Sequence, residues 1–140
     1  FAADRLDHVD VEIEPALRAT RVVVSDRYYH SSYAYQGDPL DDDAFDTEWV
    51  RRLNERARTP DLTLFLRAPA EVCLERLETR GRRDIYEGAE QLERLERRYE
   101  RVVEALQEEG ERVAEIDATR SIADVHEDVY DAVQSVLPGD

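Results

Sequence analysis

Three short runs of apolar and β-branched residues alternate with longer amphipathic segments, and this alternation limits the folds that the chain can adopt. The runs are residues 21–25, 62–66 and 112–117. Each run is too short for a helix, and the first is apolar on both faces, as a strand buried between two layers is. Strands that alternate with helices predict an α/β fold, with a parallel sheet covered by helices on both faces.

The segments between the runs carry apolar residues at helical spacing, which predicts helices at 2–19, 44–58, 69–80 and 87–109. Pro15 lies inside the first of them, so we expect that helix to be kinked or split in two. Gly110 is placed to end the long fourth helix. Ser121 is placed to cap a last helix. Together these elements predict a single domain over residues 1–140.

The chain is strongly acidic, and all of its basic residues are arginine. Its 34 acidic and 19 basic residues give a net charge of −15. Such a charge argues against non-specific binding to nucleic acid or to anionic membranes. No apolar run approaches the roughly 18 residues of a membrane span, and no signal peptide is visible, so we expect a cytoplasmic protein. The acidity fits adaptation to high salt and an ordinary acidic protein equally well.

Two local features have an ordinary structural interpretation beside a functional one. Cys73 is the one cysteine of the chain, which excludes an internal disulfide. Its place on the apolar face of a predicted helix favours a core thiol over a nucleophile. The acidic turn at 38–43 favours a solvated helix start over a calcium site, because the EF-hand spacing is absent.

Polar groups follow each predicted strand, at the sheet edge where α/β proteins bind ligands. Asp26 and Arg27 follow the first run, Arg67 follows the second, and residues 117–119 end or follow the third. The planar fork of Arg27 suits a phosphate group through two parallel hydrogen bonds. A local ion pair between Asp26 and Arg27 is the structural alternative.

Residues 24–37 resemble the Asp-Arg-Tyr motif of thymidylate kinases, with its trailing Ser-x-x-Ala-Tyr-Gln-Gly. Further segments resemble the same family in the same order, and the resemblance covers essentially the whole chain. They are its Phe-x-Ala-x-Arg segment at 1–5, its Pro-Asp-Leu-Thr strand at 60–66, the helix entering its lid at 75–82 and its C-terminal strand exit at 117–122. The resemblance implies a P-loop kinase fold and transfer of the ATP γ-phosphoryl, with Mg²⁺, to dTMP.

The resemblance also implies an acceptor site. It assigns dTMP binding to Phe1, Arg5, Arg27, Ser32, Tyr35 and Gln36. Phe1 would stack on thymine, Arg5 would donate to a thymine carbonyl oxygen, and Ser32 would lie beside the base edge. Arg27 would bind the monophosphate, and Tyr35 would pack under the sugar and disfavour a ribose 2′-hydroxyl. Without the resemblance, Phe1, Arg5 and Tyr35 would be interpreted as packing or surface residues.

On the donor side the resemblance implies a lid at about 80–90 and a place for adenine. The catalytic set would be Asp26, Arg27, Arg80, Arg82 and Arg83, with Asp26 near the metal only indirectly. The lid set would be Arg76, Arg80, Arg82, Arg83 and Tyr86, and the adenine side would be Asp117, Ala118 and Thr119. Because acidic residues interleave with the lid arginines, a solvated, salt-bridged face is the alternative.

The sequence departs from the family pattern in one respect. The phosphate-binding loop Gly-x-x-x-x-Gly-Lys-Ser/Thr requires a lysine, and the chain has none. We therefore expect the chain alone to be inactive, and to represent the C-terminal two-thirds of a longer enzyme that begins before Phe1. In the resembled fold a further strand lies between the first two runs, so a slot about 10 Å wide is expected there.

Other functions and assemblies stay open at this point. A kinase for another pyrimidine nucleotide or nucleoside would fit the same residues. A binding module that has lost the donor site would fit the missing lysine. The family is commonly dimeric through helices, which makes the apolar faces of 2–19 and 44–57 candidates for a homodimer contact.

Overall fold

The computed structural model describes residues 2–35, 52, 54–79 and 85–137, without the side chains of Ala2 and residues 85–87. These residues belong to two compact units, Phe1–Thr59 and Pro60–Asp140. The single domain expected over residues 1–140, and the slot expected between the first two apolar runs, stay predictions.

The first unit begins with a helix that changes its winding ahead of a proline. Helix α1 (Ala2–His8) continues into a π-helical segment (Val9–Ile13) and then into helix α2 (Glu14–Arg18). Pro15 lies in the first turn of α2, directly after the π-helical segment, and has no N–H to donate to the preceding turn. The sequence predicted a kink or a split at Pro15; the helical run instead continues through this residue, and its interruption is the change in winding that precedes the proline.

Residues 21–25 form neither a helix nor a strand, so the first of the three strands expected from sequence is wrong. Val22 is 66% exposed and Val24 is 90% exposed, whereas a buried strand would cover both. A strand is stable only when a neighbouring strand satisfies its backbone groups. The apolar pattern of this run is therefore insufficient by itself, because the run is not paired in a sheet here.

The rest of the first unit supplies a short helix and part of another. Helix α3 (Tyr29–Tyr35) buries Tyr29 and Ala34. Arg52 and Asn54 are helical, and the chain is in turns from Glu55. The other positions of the predicted 44–58 helix, up to residue 53, and the acidic turn at 38–43 lie outside the described residues.

The second unit contains a parallel pair of strands. Strand β1 (Thr63–Arg67) pairs with strand β2 (Val113–Asp117), with Thr63 opposite Val113 and Arg67 opposite Asp117. Helices α4 (Ala70–Glu78) and α5 (Ile85–Glu108) connect the two strands, and helix α6 (Ile122–Gln134) follows. The α/β class and the parallel pairing expected from sequence are confirmed.

The core of this unit lies where α5 packs beside the sheet. Val102, Val103 and Leu106 of α5 and Ile116 of β2 are all buried. Cys73 of α4 is partly buried.

Side-chain contacts and helix ends complete the second unit. The rings of Phe65 and Tyr99 stack, with their centroids 5.8 Å apart. Ser121 accepts a hydrogen bond from the Asp124 amide, which confirms the predicted cap. Within the described ranges, no helix has both the length and the apolar character needed to cross a bilayer.

Candidate functional site

Three separate segments of the first unit meet at the guanidinium of Arg5. From α1, Arg5 donates through Nη2 to the Ser32 hydroxyl of α3 at 2.9 Å. Through Nη1 it donates to the side-chain carbonyl of Asn54. The Arg5 Cζ atom lies 5.6 Å from the centroid of the Tyr28 ring, within the range of a cation–π contact. Ser32 and Asn54 are both buried, so the acceptors of these two bonds are shielded from water.

Another guanidinium of this unit, that of Arg27, lies against Tyr35. Its Nη1 donates to the Tyr35 hydroxyl at 3.1 Å, and its Cζ lies 5.4 Å from the centroid of the ring. Arg27 adopts a positive φ of 68°, a conformation that is uncommon for a non-glycine residue. The Ser25 hydroxyl donates to the Arg27 carbonyl at 2.8 Å, which supports this turn. Such strain is often found at functional sites.

Helix α3 carries the partners of both arginines. Ser32 and Tyr35 are three residues apart, which places them on neighbouring turns of one helix face. Ser32 is buried against Arg5, whereas Tyr35 is 50% exposed. A planar guanidinium can donate in parallel to phosphate or carbonyl oxygens, so the two arginines are chemically suited to an anionic ligand with acceptor groups.

Four residues of the predicted acceptor site, Arg5, Arg27, Ser32 and Tyr35, lie in the described part of the first unit. The structure joins Arg5 to Ser32 and Arg27 to Tyr35. Asp26 is exposed beside Arg27 in the chain. Phe1 and Gln36 lie outside the described residues.

In the second unit, a predicted lid residue contacts the predicted adenine side. Arg76 of α4 donates through Nη2 to the Ala118 carbonyl at 2.7 Å. Just before it, Asp117 Oδ1 accepts from the Thr119 hydroxyl at 2.6 Å and from the Thr119 amide at 2.9 Å. These bonds lower the pKa of the Asp117 carboxyl. Arg80, Arg82 and Arg83, and the side chain of Tyr86, lie outside the described residues.

Sequence reasoning missed two residues at the Arg5 cluster, Asn54 and Tyr28. A signal existed for Asn54: it stands four positions after Val50, on the apolar stripe of the predicted 44–58 helix. A polar residue on an apolar stripe indicates a buried polar contact. Tyr28 was part of the Asp-Arg-Tyr motif, but nothing in the sequence indicated its contact with Arg5.

The hydroxyl of Tyr28 is buried and has no hydrogen-bond partner in the part of the chain that the structure describes. Burial raises the pKa of this phenol, because the charged form would lose its hydration. The positive charges of Arg5 and Arg58 offset part of that rise. Tyr28 is therefore neutral at physiological pH, and it contacts Arg5 through its ring.

No group of three or more metal-ligating side chains occurs among the described residues. Mg²⁺ is commonly held by one or two carboxylates together with waters and substrate phosphates, so a protein site for it does not require such a group. The exposed carboxylate of Asp26 is chemically suited to that limited part.

Comparison with known proteins bears on the whole chain. Residues 1–129 match the thymidylate kinase family. The chain is 40% identical to a probable thymidylate kinase of Natronomonas pharaonis, over 98% of this chain and 68% of the relative. It is 35% identical to one of Thermococcus gammatolerans (99% and 64%) and 34% identical to one of Methanococcoides burtonii (98% and 68%). The chain spans about two-thirds of the length of these relatives, and it belongs to the thymidylate kinase family.

Proposed function

We propose that this chain supplies the acceptor-nucleotide site of an enzyme that transfers the γ-phosphoryl of ATP to dTMP, giving dTDP. The observation that carries the proposal is the contact between the Arg27 guanidinium and Tyr35, in a chain of the thymidylate kinase family. One side chain offers a fork for the monophosphate, and the other offers a ring for the sugar.

Arg27 binds the 5′-phosphate of dTMP and holds it in line for transfer. The guanidinium stays charged at every physiological pH, and its fork matches two phosphate oxygens. Its contact with the Tyr35 hydroxyl limits its conformational freedom before the nucleotide arrives. Tyr35 packs under the deoxyribose, where a 2′-hydroxyl would clash with it.

The base is bound by a second group of residues. Arg5, held by Ser32, donates to a thymine carbonyl oxygen. Phe1 stacks on the base, and Gln36 contributes to dTMP binding. This division places phosphate recognition on Arg27 and base recognition on Arg5.

The donor side uses residues of the second unit and the lid. ATP supplies the phosphoryl group, and its Mg²⁺ neutralises charge on the phosphates, with Asp26 as an indirect protein contact. One or more of the lid arginines neutralise charge on the phosphoryl in transfer. Residues 117–119 lie on the adenine side, and the bond from Arg76 to the Ala118 carbonyl supports a place for this lid residue beside them.

These 140 residues alone are proposed to transfer no phosphoryl group. The chain contains no lysine, so it has no phosphate-binding loop of the Gly-Lys-Ser/Thr kind. Phosphoryl transfer depends on positioning and charge stabilisation, and a single lost donor costs about 3 kcal/mol of barrier. Incubation with ATP, Mg²⁺ and dTMP, followed by chromatography, should give no dTDP.

Binding tests the acceptor site directly. Calorimetric titration should show that dTMP binds more tightly than its ribose analogue, and Tyr35→Ala should remove that preference. Arg27→Ala should weaken dTMP binding by on the order of tenfold or more. Arg18→Ala is the matched control, because Arg18 is an exposed arginine of the same unit that faces Glu14. Unchanged dTMP affinity in Arg27→Ala would contradict the phosphate role.

A binding module without catalysis is the second candidate, and the absence of lysine favours it. The coding sequence ahead of Phe1 separates the two candidates. A Gly-Lys-Ser or Gly-Lys-Thr loop encoded there supports the kinase, and an open reading frame without one supports the module. Titration with dCMP and dUMP tests whether another pyrimidine nucleotide is the acceptor.

A further inference from the structure

We infer that Asn54 is a positioning residue, whose side-chain carbonyl holds the Arg5 guanidinium in the orientation that recognises a carbonyl group of the acceptor base. The inference rests on the proposed function, since it deepens the role given to Arg5 there. Asn54 does not belong to any motif of the sequence. It reaches Arg5 across 49 positions of the chain.

Two hydrogen bonds fix the plane of the Arg5 guanidinium. One terminal nitrogen of the guanidinium is bonded to Asn54 and the other to Ser32, so rotation of the group would break a bond. The Tyr28 ring lies 5.6 Å away and adds a third contact. An arginine without such contacts samples many rotamers and loses rotamer entropy when it is ordered. Held in this way, Arg5 is ordered before the ligand binds.

Asn54 is the contact of this set whose loss water would compensate least. It is 6% exposed. An apolar side chain of the same size would therefore leave a guanidinium N–H without an acceptor in a water-poor environment. Arg5 would then turn toward another acceptor, and its remaining N–H groups would no longer point in a single direction.

The chemistry of the guanidinium indicates which base Arg5 favours in the acceptor nucleotide. Arginine only donates hydrogen bonds, so a correctly aimed Arg5 favours a carbonyl oxygen over an amino group. Thymine has a carbonyl oxygen at ring position 4, where cytosine has an amino group that donates. The ratio of the affinities for dTMP and dCMP therefore reports how well Arg5 is aimed.

The experiment compares Asn54→Leu, Asn54→Asp, Arg5→Ala and the double variant Arg5→Ala/Asn54→Leu by calorimetric titration. We expect Asn54→Leu to reduce the dTMP-over-dCMP preference by on the order of tenfold, nearly as much as Arg5→Ala does. Asn54→Asp keeps an acceptor and should stay within about threefold of the original chain. The double variant should lose no more than Arg5→Ala alone, since both residues act through one contact.

Deoxyribose 5-phosphate, which has no base, separates aiming from folding. Its affinity should be the same in all four variants and in the original chain. A preference that survives Asn54→Leu while Arg5→Ala abolishes it overturns the inference and leaves the proposed function standing. Equal losses in Asn54→Asp and Asn54→Leu, or a parallel loss of deoxyribose 5-phosphate binding, also overturn it. No dTMP binding by the original chain would overturn the proposed function, and the inference with it.

Discussion

The half-buried side chain of Tyr28, beside Arg5, has a hydroxyl and a ring that act on stability in opposite directions. The Tyr28 hydroxyl has no hydrogen-bond partner within the described ranges. A buried polar group left without a partner costs about 1–3 kcal/mol. The ring itself is useful, because it lies beside the Arg5 guanidinium. The hydroxyl of this side chain therefore lowers the stability of the fold, whereas the contact of its ring with Arg5 raises it.

Replacing this tyrosine separates the two parts. Tyr28→Phe keeps the ring and removes the hydroxyl, so we expect the free energy of unfolding at pH 7 to rise by about 1 kcal/mol. Urea denaturation measures this change. Tyr130→Phe is the matched control, because Tyr130 is 56% exposed, and it should change stability little. Destabilisation by Tyr28→Phe would indicate that the hydroxyl has a partner.

The same phenol predicts a pH dependence. Burial raises the pKa of Tyr28 above its usual value of 10.0. Below that pH the phenol is protonated in both the folded and the unfolded chain, so its ionisation does not lower the free energy of unfolding. As the pH rises further, the unfolded chain loses the phenol proton first, so the free energy of unfolding falls until the folded phenol also ionises. Urea titrations at increasing pH above 10 should show a smaller fall in Tyr28→Phe than in the original chain.

Among the elements, the helices followed local rules closely. Pro15 predicted an interruption, and a π-helical segment precedes it. Gly110 predicted the end of a long helix, and α5 ends at Glu108, with Gly110 at a positive φ of 84° just beyond. Both effects arise from the backbone of a single residue, so the presence of a proline or a glycine at that position was sufficient to predict them.

Two glycines of this region give opposite predictions for the same substitution. A Cβ at Gly88 or at Gly110 would meet no atom within 4 Å, so packing is not the difference. Gly88 lies inside α5, where alanine is the better helix former, and Gly88→Ala should raise the free energy of unfolding by roughly 0.5 kcal/mol. Gly110→Ala should lower it by about 1 kcal/mol, because of its positive φ. Equal effects in urea denaturation would contradict this reading of Gly110.

For the whole molecule, charge is the dominant property. With a net charge of −15 over 140 residues, the excess acidic side chains repel one another at low ionic strength. Salt screens that repulsion, with a Debye length of about 10 Å at 0.1 M and about 3 Å at 1 M. The acidity therefore links stability to the salt concentration.

Salt dependence tests whether the acidity is an adaptation. We expect the free energy of unfolding to increase as the KCl concentration rises from low values to the molar range, and to decrease again as the salt is withdrawn. Thermal unfolding followed by circular dichroism over a KCl series measures this. Stability that is flat or falls with added KCl would identify an ordinary acidic protein.

The sequence by itself determined the helices and the two paired strands of the second unit, the cap at Ser121 and the family, because spacing, caps and motifs are properties of residues close together in the chain. Only the tertiary structure decided that residues 21–25 stay out of a sheet and that Asn54 and Tyr28 join Arg5. Strand pairing and the burial of a polar side chain depend on partners that are distant in the chain. The Arg5 bonds to Ser32 and Asn54 span 27 and 49 positions, and no local pattern encodes contacts over that range.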